Sequence, residues 1–215
     1  MIKYCSQINT QDRYRNMKFL ASSFLLYCIF ITTAYSEGTE QSLALKLVTE
    51  KCQFCHGLNG EASSVIYPRL AGQNKLYLEK QLNDFKSGKR QVEPMNEISG
   101  SLTADEITAL AVYFKEQPAK SHRVRDKQLA AVGEYIFNKG NQYSGIAACA
   151  SCHGGNGEGT DLRPRLAGQH KRYVSEQLND FTLRTRSNDN AIMYSIAEKL
   201  TELEIEAVAL YVSGL

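Results

Sequence analysis

Two copies of one five-residue string contain the side chains best suited to chemistry. The first copy is "CQFCH", from Cys52 to His56, and the second is "CASCH", from Cys149 to His153. Two thiols three positions apart can form thioethers with the two vinyl groups of one porphyrin, and the adjacent imidazole then lies beneath the iron as proximal ligand. Cys-x-x-Cys-His is the attachment signature of c-type haem. We therefore predict two covalently bound haem c groups, with thioether sites at Cys52, Cys55, Cys149 and Cys152 and proximal iron ligands His56 and His153.

Three other uses of paired cysteines compete with haem attachment. A disulfide within each pair would not require a histidine directly after it. Zinc sites normally bring two Cys-x-x-Cys pairs within about 20 residues, whereas these two pairs lie 97 residues apart. A thioredoxin-like redox pair is expected within a βαβ pattern, and the sequence has no convincing strand. Haem attachment is the favoured interpretation.

The sixth position of a haem iron decides between electron transfer and chemistry at the metal. Beyond residue 36 the chain has two methionines, Met95 at 39 residues after His56 and Met193 at 40 residues after His153. A lone methionine usually fills a core, but the equivalent placement of these two predicts that both are iron ligands. Thioether is a soft ligand, so His/Met coordination raises the reduction potential. His122 and His170 do not recur in the repeat, and we expect them on the solvated surface.

The repeat extends well beyond the cysteines and indicates two tandem domains. The segment "YLEKQLNDF" (77–85) returns as "YVSEQLNDF" (173–181), and "SLTADEITALAVYF" (101–114) returns as "KLTELEIEAVALYV" (199–212). We predict a first domain over residues 37–117, a charged linker over 118–126 and a second domain over 127–215. Such small domains have little core of their own, and a flat apolar cofactor would supply one.

Each repeat is predicted to be helical. Thr103 with Glu106, and Thr201 with Glu204, fit the capping box that begins a helix. Apolar residues follow each box at helical spacing, and no stretch alternates with the period of a strand. The predicted fold class is all-α. The apolar stripes are Ile107, Leu110, Ala111 and Phe114 in the first copy, and Ile205, Val208, Ala209 and Val212 in the second.

Residues 1–36 are typical of a cleaved secretory signal. Four basic residues precede the apolar run "FLASSFLLYCIFITTA" (19–34), and "AYS" follows it, so cleavage is expected near Ser36. A retained membrane anchor is the alternative, although the run is shorter than the roughly 20 apolar residues that a spanning helix needs. Removal of this leader takes the formal net charge from +2 to −1. Without a basic excess, nucleic acid is not an expected partner.

These residues together resemble a known family. Each unit resembles class I cytochrome c, and the tandem resembles the dihaem cytochrome c4 family. The resemblance rests on the two haem strings, "PRLAGQ" twice, "QLNDF" twice, Met95, Met193 and the C-terminal helices. It implies two cytochrome c folds related by a pseudo-two-fold axis, axial pairs His56/Met95 and His153/Met193, and hydrogen bonds from the histidines to the carbonyls of Pro68 and Pro164.

The resemblance also implies a function, a location and partners. Family members are periplasmic, some loosely associated with the membrane, and carry electrons from a quinol-oxidising complex to a terminal oxidase or another redox protein. We expect an electron carrier with no catalytic residues and not an enzyme. The alternatives are a dihaem cytochrome subunit of a dehydrogenase and a dihaem redox enzyme.

One departure from the family pattern concerns the crossing of the first and last helices of a unit. The second unit has the Gly-x-x-x-aromatic pattern at Gly133 and Phe137, but the first unit has Ala44 and leucines in the corresponding segment. We therefore expect a wider helix crossing in the first unit.

Overall fold

A computed structural model describes residues 41–215, and the predicted signal segment lies outside this range. We call residues 41–117 the first half, residues 118–126 the linker and residues 127–215 the second half. Residues 43–215 form one compact unit. In the described range no helix is both long enough and apolar enough to cross a membrane.

The helices of the two halves follow each other in the same order. In the first half, α1 (41–47) leads through a π-helical turn (Val48–Cys52) into α2 (Gln53–His56), followed by α3 (Lys75–Lys86), α4 (Met95–Gly100) and α5 (Ala104–Glu116). In the second half the order is α6 (Lys127–Lys139), α7 (Ala150–His153), α8 (Lys171–Thr182), α9 (Ile192–Ala197) and α10 (Glu202–Ser213). Among residues 41–215 there is no strand, only an isolated bridge between Asn141 and Ile146. The predicted all-α fold class is confirmed.

Both predicted capping boxes are present and define where the last helix of each half begins. The Thr103 side chain accepts a hydrogen bond from the Glu106 amide at 3.2 Å, and the Glu106 carboxylate accepts one from the Thr103 amide at 2.8 Å. The Thr201–Glu204 pair repeats this arrangement at 3.3 and 2.8 Å. Each box satisfies amide groups that would otherwise lack a partner at a helix start.

The two halves have separate apolar cores, each built around its last helix. In the first core α5 packs with α3 and the end of α1, and in the second α10 packs with α6 and α8. All eight residues of the predicted stripes are buried. The first core includes Leu47, Val48, Leu78, Leu102 and Phe114, and the second includes Ile136, Phe137, Leu178, Phe181 and Val212.

Gly133 lets α6 and α10 approach each other more closely than any other residue would. A Cβ at this position would lie 2.0 Å from the Ala207 carbonyl oxygen and 2.9 Å from the Tyr211 Cβ. Phe137 lies on α6 one turn after Gly133 and is fully buried. In the first half the corresponding pair is Ala44 and Val48, both also buried.

The two halves meet through reciprocal hydrogen bonds that a pseudo-two-fold axis relates. The Gln73 side chain accepts from the Arg165 amide at 2.7 Å and donates to the Arg165 carbonyl at 3.0 Å. The Gln169 side chain pairs with the Arg69 amide and carbonyl in the same way, at 2.9 Å each. Because each residue and its repeat partner exchange roles, the contact is self-complementary.

A second set of reciprocal contacts lies beside the first. Arg186 donates to the Tyr77 hydroxyl at 2.9 Å, and Arg90 donates to the Tyr173 hydroxyl at 3.2 Å. Both arginines are buried. Each guanidinium also donates hydrogen bonds to two glutamine side chains, Gln81 of the first half and Gln177 of the second. In addition, Arg90 lies over the Phe85 ring and Arg186 over the Phe181 ring.

Candidate functional site

Each haem string ends in a buried histidine whose ring is fixed by the backbone. The Nδ1 atom of His56 lies 2.9 Å from the Pro68 carbonyl oxygen, and that of His153 lies 3.1 Å from the Pro164 carbonyl oxygen. A carbonyl can only accept, so Nδ1 carries the proton and donates in both rings. The lone pair therefore resides on Nε2, the atom needed for an iron ligand, and this is the usual way in which a protein orients a ligating histidine.

Electrostatics keep both imidazoles in the neutral form that binds a metal. Burial lowers the pKa of His56, and the hydrogen bond to Pro68 opposes this effect only in part. Burial likewise lowers the pKa of His153, with a further contribution from the positive charge of Arg163. Both rings are therefore neutral near pH 7, and no proton has to leave before coordination.

The first cysteine of each string is held in an apolar environment beside its core. Burial raises the pKa of the Cys52 and Cys149 thiols to about 11. Cys52 packs against the first core and Cys149 against the second. None of the four cysteines among residues 41–215 forms a disulfide. Neutral, partly buried thiols next to a buried imidazole fit attachment of a flat apolar group.

The two methionines occupy equivalent places, although neither is part of a haem string. Met95 is the first residue of α4 and Met193 the second residue of α9, and each helix precedes the capped last helix of its half. Both side chains are half-buried. The Asn96 side chain holds the preceding loop by hydrogen bonds to the Phe85 and Arg90 carbonyls, at 2.8 Å each. In the second half Asp189 accepts from the Met193 amide.

Buried donors without an acceptor provide a test of whether haem fits these residues. The Nε atoms of Arg90 and Arg165 are buried and have no hydrogen-bond partner among residues 41–215. An unpaired buried donor costs about 1–3 kcal/mol, and the carboxylates of a haem are acceptors of the right charge. The donor set, the neutral histidines and these unpaired guanidinium atoms all fit haem.

Two helical units, each with a Cys-x-x-Cys-His string and a proline-fixed histidine, define a c-type cytochrome with two haem sites. The sequence profile of the family described as Cytochrome c matches the chain twice, over residues 43–139 and 137–215. Cytochrome c4 of Pseudomonas aeruginosa is 41% identical over 168 residues, which are 76% of this chain and 83% of that protein. The chain belongs to the cytochrome c4 family. Its cofactor is covalently bound haem c, and its class is the electron-carrying cytochromes.

Two further similarities agree with this assignment. The crystal structure of reduced recombinant cytochrome c4 from Pseudomonas stutzeri has a TM-score of 0.76 and 37% sequence identity, and the match covers 80% of this chain and 96% of that chain. A thiosulfate dehydrogenase electron acceptor from Stutzerimonas stutzeri is 36% identical over 182 residues, 82% of each chain. The predicted tandem of class I cytochrome c domains is confirmed.

The expectation that His122 and His170 lie on the solvated surface is wrong for His170, which is buried, whereas His122 is only partly exposed. His170 is 3% exposed, and its Nε2 atom lies 3.0 Å from the Ala62 carbonyl oxygen of the first half. His122 is half-buried, and its ring centroid lies 4.9 Å from that of His170. The sequence pattern could not show this, because both side chains are covered by contacts between the halves.

Sequence reasoning also missed the residues that join the halves. Gln73, Gln169, Arg90 and Arg186 recur in the repeat, but nothing in a single unit distinguishes them from other polar residues. Their recurrence was the available signal. A polar residue that appears twice at equivalent places, outside the haem strings, is a candidate for a contact that the pseudo-two-fold axis generates.

Proposed function

We propose that this chain is a periplasmic dihaem electron carrier with no catalytic residues. In each half a Cys-x-x-Cys pair forms the thioethers, and the iron ligands are His56 with Met95 and His153 with Met193. The observation that carries this proposal is the matched geometry of His56 and His153, each neutral and fixed by a proline carbonyl so that Nε2 is free. The equivalent positions of the two methionines support it.

The chain's own residues would prepare each site for transfer of one electron at a time. Bound haem supplies an iron that alternates between the ferrous and ferric states. The Pro68 and Pro164 carbonyls hold the imidazoles in one tautomer, so no proton rearrangement is needed during transfer. A methionine at the sixth position would exclude water and substrates from the iron, which favours transfer over catalysis.

The location and partners follow from the leader and from the family. Residues 1–36 have the pattern of a secretory signal, with cleavage expected near Ser36. We propose export to the periplasm, a quinol-oxidising complex as donor, and a terminal oxidase or another redox protein as acceptor. Loose association with the membrane surface is compatible with this role.

The test is the mass and the resting spectrum of the exported protein. We expect a chain that begins near residue 37 and carries two haem groups, with both irons low-spin and six-coordinate. Cys149→Ser together with Cys152→Ser should remove one haem and leave the first. A high-spin iron in the resting protein would favour the dihaem redox enzyme and overturn the carrier function.

A second candidate function is that of the electron-accepting cytochrome of a dehydrogenase. The similarity to a thiosulfate dehydrogenase electron acceptor, over 82% of both chains, favours it. Purification from the native periplasm separates the two, because a subunit copurifies with a stoichiometric partner and a free carrier does not. Reduction of the purified chain by thiosulfate, with and without added thiosulfate dehydrogenase, tests the particular pairing.

The glutamine pairs hold the two halves together, and weakening this contact should slow the exchange of an electron between the haems. Replacing both Gln73 and Gln169 by leucine leaves the backbone groups of Arg69 and Arg165 unpaired, at a cost of about 1–3 kcal/mol for each buried group. We expect electron redistribution between the haems, measured after pulsed one-electron reduction, to slow several-fold. Gln117→Leu is the matched control, because among the described residues the Gln117 side chain bonds only to the Tyr113 carbonyl, within the first half. Equal rates in both variants would contradict the prediction.

A further inference from the structure

Two histidines lie where the first half, the linker and the second half meet. His170 directly precedes α8, and its Nε2 atom donates to the Ala62 carbonyl of the first half at 3.0 Å. His122 is in the linker, and its amide donates to the Ser213 carbonyl at the end of α10 at 2.8 Å. The two rings are 4.9 Å apart, so the pair connects all three segments.

Charged residues of several segments face this pair, and three of them, Arg123, Arg125 and Lys127, line the same cavity as His122. From the first half, Arg69 donates to the Lys120 and Gly168 carbonyls at 2.8 and 2.9 Å. The Arg69 Nε atom also lies 3.1 Å from the Glu61 carboxylate, and this carboxylate accepts from the Lys120 amide at 3.1 Å. α10 contributes the Ser213 carbonyl, and His170 directly precedes α8.

Within the part of the chain that the structure describes, each imidazole has a buried nitrogen with no hydrogen-bond partner. Because the Ala62 carbonyl only accepts, His170 carries its proton on Nε2, and its buried Nδ1 atom has no hydrogen-bond partner. The buried Nε2 atom of His122 also has none. A proton added to His170 would therefore create a buried N–H without an acceptor, next to the positive Arg69 and the ring of His122.

The same surroundings hold both rings in the neutral form. Burial lowers the pKa of His170, Arg69 lowers it further, and the Ala62 hydrogen bond and Glu61 oppose this shift only in part. Burial, Arg69 and His170 lower the pKa of His122. A histidine whose pKa is depressed in the closed state stabilises that state above its ordinary pKa of about 6.5, and this contribution is lost as the pH falls.

We propose that His122 and His170 form an acid-sensitive latch, which holds the linker and the second half against the first half and opens when either ring is protonated. The latch is independent of the proposed function, because it depends only on contacts between segments of this chain. The pseudo-two-fold axis does not generate a second such latch, because the residue equivalent to His170 in the first half is Asn74.

Hydrogen–deuterium exchange of the haem-loaded ferric protein tests this latch. The amides of Lys120, Arg69 and Arg165 bond across the contact with the first half, to the side chains of Glu61, Gln169 and Gln73 respectively. After correction for the intrinsic effect of pH on exchange, their protection should fall by about tenfold between pH 7.5 and 5.0. One histidine can lower the protection by at most about 30-fold over this pH range. This limit applies to a ring that binds no proton in the closed state and has its ordinary pKa in the open state. Amides of the Asn141–Ile146 bridge in the second half serve as the internal reference.

The matched variant is His170→Asn, which installs the residue that the first half has at the equivalent position. It removes the titrating ring and keeps both haems, so any pH dependence from haem carboxylates would remain. We expect the fall in protection to become much smaller than in the wild type. If His170→Asn leaves these amides unprotected at every pH, His122→Gln replaces it, because that variant keeps the bond from His170 to Ala62. Flat protection in the wild type, or an unchanged pH dependence in these variants, would overturn the proposal.

Discussion

Replacing Met193 by histidine is expected to lower the reduction potential of one haem by on the order of 0.3 V, within the ~0.8 V range that axial ligands cover. The physical reason is that a neutral thioether sulfur stabilises ferrous iron, whereas a more basic imidazole stabilises ferric iron. Met193 lies on the short helix α9 beside the second core. Potentiometric titration of the exported protein measures the change, with one midpoint shifted and the other retained.

The control for this substitution is a neighbour on the same helix. Ile192 is 46% exposed and precedes Met193 directly. Ile192→His adds the same ring to α9, and both potentials should stay unchanged. The near-infrared band of thioether-bound ferric iron should lose about half its intensity in Met193→His, because one of the two sulfur ligands proposed above is removed. An intact band would show that Met193 is not a ligand.

Gly133→Ala is expected to destabilise the second half by about 3 kcal/mol or more, a cost at the upper end for overpacking a close contact. The added methyl carbon would lie 2.0 Å from the Ala207 carbonyl oxygen, so α6 and α10 would have to separate along their crossing. The higher helix propensity of alanine than of glycine offsets only about 1 kcal/mol of this destabilisation. Guanidinium unfolding of the haem-loaded protein, followed by the near-infrared band, would show an earlier transition for one half.

Substitution of a second glycine is the control that distinguishes crowding at Gly133 from a general effect of replacing glycine by alanine. Gly155 is exposed, and a Cβ built there meets nothing within 4 Å. The first half has Leu58 at the equivalent position, so a side chain is compatible with the loop. Gly155→Ala should change the stability by no more than about 0.5 kcal/mol. Equal unfolding midpoints for Gly133→Ala and the wild type would mean that the helices do not need this approach.

Local features were predicted from the sequence with few errors, because neighbours in the chain determine them. The Thr103–Glu106 and Thr201–Glu204 boxes act over four residues, and the apolar stripes behind them depend only on helical spacing. The contacts of His56 and His153 with Pro68 and Pro164 were expected from a family resemblance and are present. Their spacing of 12 and 11 residues alone would not have indicated them.

Contacts between the halves could not be predicted in the same way. His170 was expected in solvent because it does not recur in the repeat and polar residues are usually exposed, yet it is buried and bonds to the first half. Tyr77 and Tyr173 lie in the first turns of α3 and α8, and their hydroxyls bind arginines of the opposite half. These outcomes depend on the relative placement of two units, which the pattern within one unit does not encode.

The exchange of roles between Gln73 and Gln169 bears on how such a chain can arise. A surface in which each side supplies the same donors and acceptors is the surface that a homodimer of single-haem subunits would use. Duplication and fusion of one gene would then require no new contact, because the linker replaces a concentration-dependent encounter with an intramolecular one. Once fused, the two copies are free to diverge, and His170 opposite Asn74 is a place where they have done so.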